Sequence, residues 1–168
     1  MMHRRSIAVV VGRFQVPEPH PGHRHLLNTA SGEHDELLII LGSSSAPSPR
    51  DPLPFEIRKE MLLGYYPTAT VLEIVDLHNN EKWSHQLDAI IAGHCAENDA
   101  VLHHSRDSFA QHYRGRYPTK EVPELPGHSG TDVREAVALC NTADYRRGLI
   151  EGIRTAFSQS TVSQGEHS

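Results

Sequence analysis

The sequence has little cysteine, no excess of basic charge and no long apolar run. Its two cysteines, Cys95 and Cys140, stand far apart and form no metal-type pair, so both read as reduced thiols in a cytosolic protein. Sixteen Lys and Arg face 21 Asp and Glu, and the resulting formal charge of −5 lacks the basic face of a nucleic-acid binder. The run Ile7 to Val11 follows His3, Arg4 and Arg5 but stops at Gly12-Arg13, too short for a signal-peptide core. No segment reaches the length of a membrane span, so the expected location is the cytoplasm, without a membrane partner. What remains, 168 residues with 38% hydrophobic and 22% charged, has the balance of one soluble globular domain. The domain is expected over residues 1–157, followed by a polar, disordered tail at 158–168.

Strand and helix patterns alternate along the chain. Apolar runs at Ile7 to Val11, Leu37 to Leu41, Thr70 to Val75 and Ala100 to Leu102 predict strands, with a weaker one near Lys120 to Pro123. Between them, helices are predicted from Pro21 to about Ala30, ended by Ser31-Gly32, and over Pro54 to Tyr65, Lys82 to Gly93 and Asp107 to Tyr113. A further helix is expected over Asp132 to Leu139, with one or two short ones over Asp144 to Phe157. This alternation predicts an α/β fold: a Rossmann-like doubly wound parallel sheet of about five strands with helices on both faces. Ligands of such sheets bind beyond the carboxyl ends of the strands. The loops expected there carry Gly12 to His23, the serines after Gly42, Asp76 to Trp83, and Ser105-Arg106.

The first of these loops has the grammar of a phosphate site. A β-branched strand leads into Gly12-Arg13-Phe14-Gln15, a proline-rich loop and His20-Pro21-Gly22-His23 at a helix start. Backbone N–H groups there carry partial positive charge, and two imidazoles and an arginine add donors for an anionic transition state. His20 and His23 are poor candidates for a zinc site, because no cysteine or His-Glu-x-x-His motif accompanies them and Pro-Gly intervenes. The other histidines, including His34, His78 and His112, have no spacing that assigns a role, and nothing is assigned to His103 or His104. Near the far end, Ser129 and Thr131 can cap a helix and donate to phosphate, with Arg134 one turn in.

Together these stretches resemble the nucleotidyltransferases with a His-x-Gly-His motif. The likeness is greatest to archaeal-type nicotinamide mononucleotide adenylyltransferases and to the adenylyltransferase half of bifunctional adenylyltransferase/Nudix proteins. Four residues, Val16 to Pro19, separate Gln15 from His20 where that family has two. His128 to Arg134 resembles the family's Ser-Ser-Thr-x-Ile-Arg motif, with Gly130 at the middle serine. Gly42-Ser43, Arg50-Asp51-Pro52 and Phe55 to Met61 resemble its Gly-Ser loop, Arg-Asn-Pro-Phe segment and Glu-Arg-x-x-Met helix. Asp76 to Asn80 with Trp83 resembles the segment whose tryptophan stacks on nicotinamide, although a helical tryptophan also suits a core. Ser105 to Phe109, Tyr113 and Arg146-Arg147-Gly148 resemble the bifunctional branch. The likeness spans about residues 7–150, without the Nudix half.

The resemblance implies adenylyl transfer from ATP to nicotinamide mononucleotide, giving NAD and pyrophosphate. It implies His20 and His23 as donors to the triphosphate, Arg13 and Arg134 as neutralising charges, and Mg²⁺ held mainly by phosphate oxygens and water rather than by protein ligands. Substrate contacts are expected from Gly12, Phe14, Gly22, Gly42, Ser43, Arg50, Asp76, Trp83, Ser105, Arg106, Ser129 and Thr131. The alternatives are another acceptor (nicotinic acid mononucleotide, pantetheine phosphate or a cytidylyl acceptor) or a non-catalytic nucleotide-binding regulator. The sequence leaves the oligomeric state open, a homo-oligomer included.

Overall fold

The computed structural model describes residues 5–46, 48–95, 99–106 and 108–124. The expected features at Ser129, Thr131 and Arg134, the later helices, Cys140 and the 157/158 boundary lie outside them. The order of elements is β1 (Ile7–Gly12), α1 (Pro21–Glu33), β2 (Glu36–Ser43), α2 (Phe55–Tyr65), β3 (Thr70–Val75), α3 (Asn80–His94), β4 (Ala100–His104), a 3₁₀ turn (Phe109–Gln111) and β5 (Thr119–Glu121). The five strands form one sheet in the order β3-β2-β1-β4-β5. Every pairing is parallel, with Val9 opposite both Leu38 and Leu102. This is the expected doubly wound, Rossmann-like sheet.

Alternation along the strands divides the core in two. Ala8, Val10, Ile39 and Leu41 face Leu27 and Ala30 of α1 and Leu62 of α2. Val9, Leu38, Ile40, Ile74 and Leu102 face Leu87 and Ile91 of α3. After β3 the chain crosses back to the far side of β1, so the carboxyl ends of β1 and β4 flank the point where strand order reverses, where a crevice opens.

The segment after β4 is tied to α3 by buried polar groups. Tyr113 donates its hydroxyl to Asp88, the other Asp88 oxygen accepts from the Arg116 backbone N–H at 3.0 Å, and Ser84 Oγ accepts from the Arg114 N–H at 2.8 Å. Burial and the Asp88 hydrogen bond raise the Tyr113 hydroxyl well above its ordinary range. These anchors replace the helix expected over Asp107 to Tyr113 by a single 3₁₀ turn, because the backbone follows partners on α3 instead of its own repeat. A second correction concerns α1, which runs through Ser31-Gly32 to Glu33. Gly32 costs about 1 kcal/mol of helix propensity, and buried Leu27 and Ala30 together with an ion pair from Lys120 to Glu33 at 2.7 Å hold the last turn against it. No helix among the described residues is long and apolar enough to cross a membrane.

Candidate active site

The turn after β1 is built around two aromatic contacts. Phe14 adopts φ 50°, a left-handed conformation uncommon outside glycine, while its ring is buried against the α1 side of the core. A Cβ on Gly12 would lie 2.7 Å from that ring, so only glycine lets the strand end here. The Phe14 ring then packs 4.7 Å from His23.

His20 caps α1. Its Nδ1 accepts the His23 backbone N–H at 3.1 Å, which leaves the proton of the neutral ring on Nε2. The two imidazoles stack with centroids 3.4 Å apart, and a Cβ on Gly22 would come within 3.0 Å of the His20 ring. His20 is pushed below its ordinary value by burial. His23 is pushed down to about 3 by burial, with the neighbouring His20 adding to the effect. Its Nδ1 is buried without a hydrogen-bond partner among the described residues.

The sign of the resulting pH dependence follows. The unfolded chain takes up a proton near pH 6.5 and the folded His23 resists until about pH 3, so the contribution is whole above pH 6.5 and is lost as pH falls through that window. We expect the urea midpoint to drop as pH is lowered from 6.5 to 4.5, by up to about 1.4 kcal/mol of stability per pH unit from this group. In His23→Gln the dependence should be shallower; parallel slopes for the two proteins would refute the assignment.

Arg13 follows Gly12 and is held by two carboxylates, Asp51 at 3.1 Å and Asp76 in a second, shorter ion pair. Its side chain stays 47% exposed, so the guanidinium keeps an open face. Burial works against its charge, but Asp76 and Asp51 outweigh it and raise its value. Behind it lies Arg58 of α2, only 2% exposed. Arg58 donates to the carbonyls of Leu53 (3.0 Å), Arg13 (2.8 Å) and Gly42 (2.9 Å) and to Ser43 Oγ (2.7 Å). Gln15 adds a two-point clamp on the Leu53 backbone, donating to its carbonyl at 3.1 Å and accepting from its N–H at 2.9 Å. The loops after β1 and β2 are thus set by one buried guanidinium and one amide.

A cavity of about 680 Å³ opens along this edge. Gly12, Arg13, Phe14, His23, Gly42, Asp76, Trp83 and Ser105 line it, drawn from the ends of four strands. Trp83 of α3 has the Phe109 ring 6.0 Å away, and Phe109 belongs to the segment anchored through Tyr113. The cavity therefore joins a cationic and imidazole side, supplied after β1, to an aromatic side supplied by α3 and the segment after β4. Among the other expected contacts, His20 stacks on His23 and Gly22 lies against the His20 ring, neither lining the cavity, and Ser43 is buried on Arg58. Arg50 and Arg106 are exposed and do not line the cavity.

His78 and His112 do line it, as do Asn80 and Ser108. Their only sequence signal is position: each follows the carboxyl end of β3 or β4. Arg58 and Gln15 were legible as parts of motifs, but a loop-holding role cannot be read from one dimension.

A parallel sheet in this order, with a crevice beyond the carboxyl ends of its strands, defines the Rossmann-like class of α/β folds. Within it, the family model described as cytidylyltransferase-like matches residues 9–136, and the chain belongs to that family. No curated protein matches the sequence. Among solved structures, a bifunctional NMN adenylyltransferase/ADP ribose pyrophosphatase from Francisella tularensis is similar at TM-score 0.63 and 23% identity, covering 79% of this chain and 42% of its own. The form of that enzyme complexed with AMP and a manganese ion matches at TM-score 0.64 and 18% identity, over 98% of this chain and 57% of its own. NadR in complex with NAD and AMP-PNP matches at TM-score 0.57 and 18% identity, over 82% of this chain and 42% of its own. The chain thus spans about half the length of these structures and shares with them the nucleotidyltransferase fold.

Proposed function

We propose that this protein transfers the adenylyl group of ATP to nicotinamide mononucleotide, forming NAD and releasing pyrophosphate. The observation that carries the reading is a single cavity offering Arg13 and His23 at one side and Trp83 with Phe109 at the other. A dinucleotide product needs both: phosphate donors at its centre and a flat apolar surface for a ring.

The reaction is one in-line displacement. A phosphate oxygen of the acceptor bonds to the α-phosphorus of ATP as the bond to the β-phosphate oxygen breaks, and pyrophosphate carries off the electron pair. No protein nucleophile is needed, so positioning and charge stabilisation do the catalysis. In this scheme neutral His20 and His23 donate hydrogen bonds to the triphosphate, His23 nearer the α-phosphoryl oxygens. Arg13 exchanges part of its pairing with Asp51 and Asp76 for phosphate. Arg134, Ser129 and Thr131 act from the second motif, and the backbone at Gly22 adds donors. Gly12, Phe14, Gly42, Asp76 and Ser105 line the cavity around the nucleotides, Ser43 shapes its loop through Arg58, and Trp83 stacks on the pyridine; Arg50 and Arg106, outside the cavity, are assigned no contact.

Asp51 and Asp76 are both committed to Arg13, so the crevice suits a magnesium ion that arrives on the triphosphate and keeps its waters. When bound, that ion neutralises charge on the phosphate oxygens.

Incubated with ATP, nicotinamide mononucleotide and Mg²⁺, the purified protein should release pyrophosphate and form NAD. Detecting neither product would sink the reading. The cytidylyltransferase-like family match supports a second one, in which donor or acceptor differs. Turnover restricted to CTP, nicotinic acid mononucleotide or pantetheine phosphate in a substrate panel would favour it, and ATP binding without turnover on any acceptor would favour a regulator.

A further inference from the structure

Away from the crevice, the carboxyl end of α1 meets β4 and β5. Glu33 is the last residue of α1, His34 follows as its cap, and His103 on β4 is fully buried. His34 Nε2 lies 2.9 Å from His103 Nε2, with the rings edge-on at 81°. One ligand atom from each of Glu33, His34 and His103 lies within 4.8 Å of the others. None of the three lines the nucleotide cavity.

We propose that Glu33, His34 and His103 form a binding site for one divalent transition-metal ion of the zinc type. At 2.9 Å the two imidazole nitrogens share one proton in an N–H···N hydrogen bond, and a cation can take that proton's place with both lone pairs turned to it. Their separation fits two adjacent ligands of one ion at Zn–N distances of about 2.0–2.1 Å, with a few tenths of an ångström of opening for a tetrahedral arrangement. Two imidazoles and one carboxylate suit Zn²⁺ or Co²⁺ and not Mg²⁺, which prefers oxygen ligands. A positive charge is already held at this place: the Lys120 ammonium reaches Glu33 at 2.7 Å from β5. Metal binding exchanges that ammonium for the ion and joins the end of α1 directly to the sheet. The Nδ1 atoms of both histidines are buried without partners among the described residues, so no outer hydrogen bond there steadies the rings. Affinity is therefore about 10–100-fold below that of a well-buttressed histidine site.

The full chain, stripped with a chelator, is titrated with Zn²⁺ against a chromophoric competitor, and with Co²⁺ for its visible absorption. One equivalent of Zn²⁺ should bind in the micromolar range. His34→Gln should weaken binding at least tenfold, and Lys120→Gln, which frees the carboxylate, should tighten it severalfold. His20→Asn, which alters the other histidine pair, should leave it unchanged. The site is refuted if no equivalent binds below 100 µM, if binding survives His34→Gln, or if His20→Asn removes it instead. His103 is left intact because its burial puts folding at risk.

Discussion

His23→Asn is expected to slow pyrophosphate release at saturating ATP and acceptor by about 10²–10³-fold, the usual loss when one donor to a developing anion is removed. The structure motivates the size. His23 is held in place by the stack on His20 and the packing of Phe14, so little reorganisation remains at the moment of reaction. Its ring is neutral across the physiological range, with a value near 3, so it acts by a directed hydrogen bond and not by a full charge. Nδ1 is buried, which leaves Nε2 for a ligand in the cavity. An interaction made mainly in the transition state lowers kcat and kcat/KM together, and KM should change little. Asparagine is the test variant because it keeps a polar side chain while removing the ring; a thermal melt confirms that it folds. A fall of less than fivefold, or a rise in KM with unchanged kcat, would show that His23 only binds or only packs.

The second large effect concerns Arg58. Arg58→Met is expected to cost about 3–5 kcal/mol in denaturant unfolding, since it strips a buried guanidinium from the polar groups it serves. The carbonyls of Arg13 and Gly42 and Ser43 Oγ would lose this donor, and the Leu53 carbonyl would keep only its bond from Gln15. Burial lowers the Arg58 guanidinium from its ordinary value, while Asp51 and Glu73 favour its charge. Arg58→Lys should recover little of the loss, because a single ammonium cannot reproduce a planar fork that serves four acceptors. Because Arg13 and Gly42 both line the cavity, the methionine variant should also raise KM for the nucleotide. A loss under 1 kcal/mol would mean that water or a neighbouring donor replaces the guanidinium.

The sheet was legible because its central strands, β1 and β2, are buried on both faces. Val9-Val10-Val11 and Leu37 to Leu41 are continuous apolar runs of the kind a covered parallel strand uses, and Pro21 marks the start of α1; α3 starts at Asn80, before the expected Lys82, because the Asn79 side chain caps it by accepting from the Lys82 N–H. Helix ends were less legible, as α1 passing Gly32 shows: packing of Leu27 and Ala30 outweighs a local stop signal. The loop after β1 was legible as a candidate site because glycine, arginine and the two histidines lie within twelve residues of one strand end.

The sequence by itself determined the alternating architecture, the edge on which a ligand would sit and the residues of the loop after β1, since strand burial and helix capping are local properties of chemistry and spacing. Only the tertiary structure decided that Asp51 and Asp76 both hold Arg13, that Arg58 binds the backbones of two loops, that His78 and His112 reach the cavity, and that His34 meets His103. These pairs are separated by tens of residues, and the register of parallel strands joined by crossover helices, not any pattern along the chain, brings them within reach.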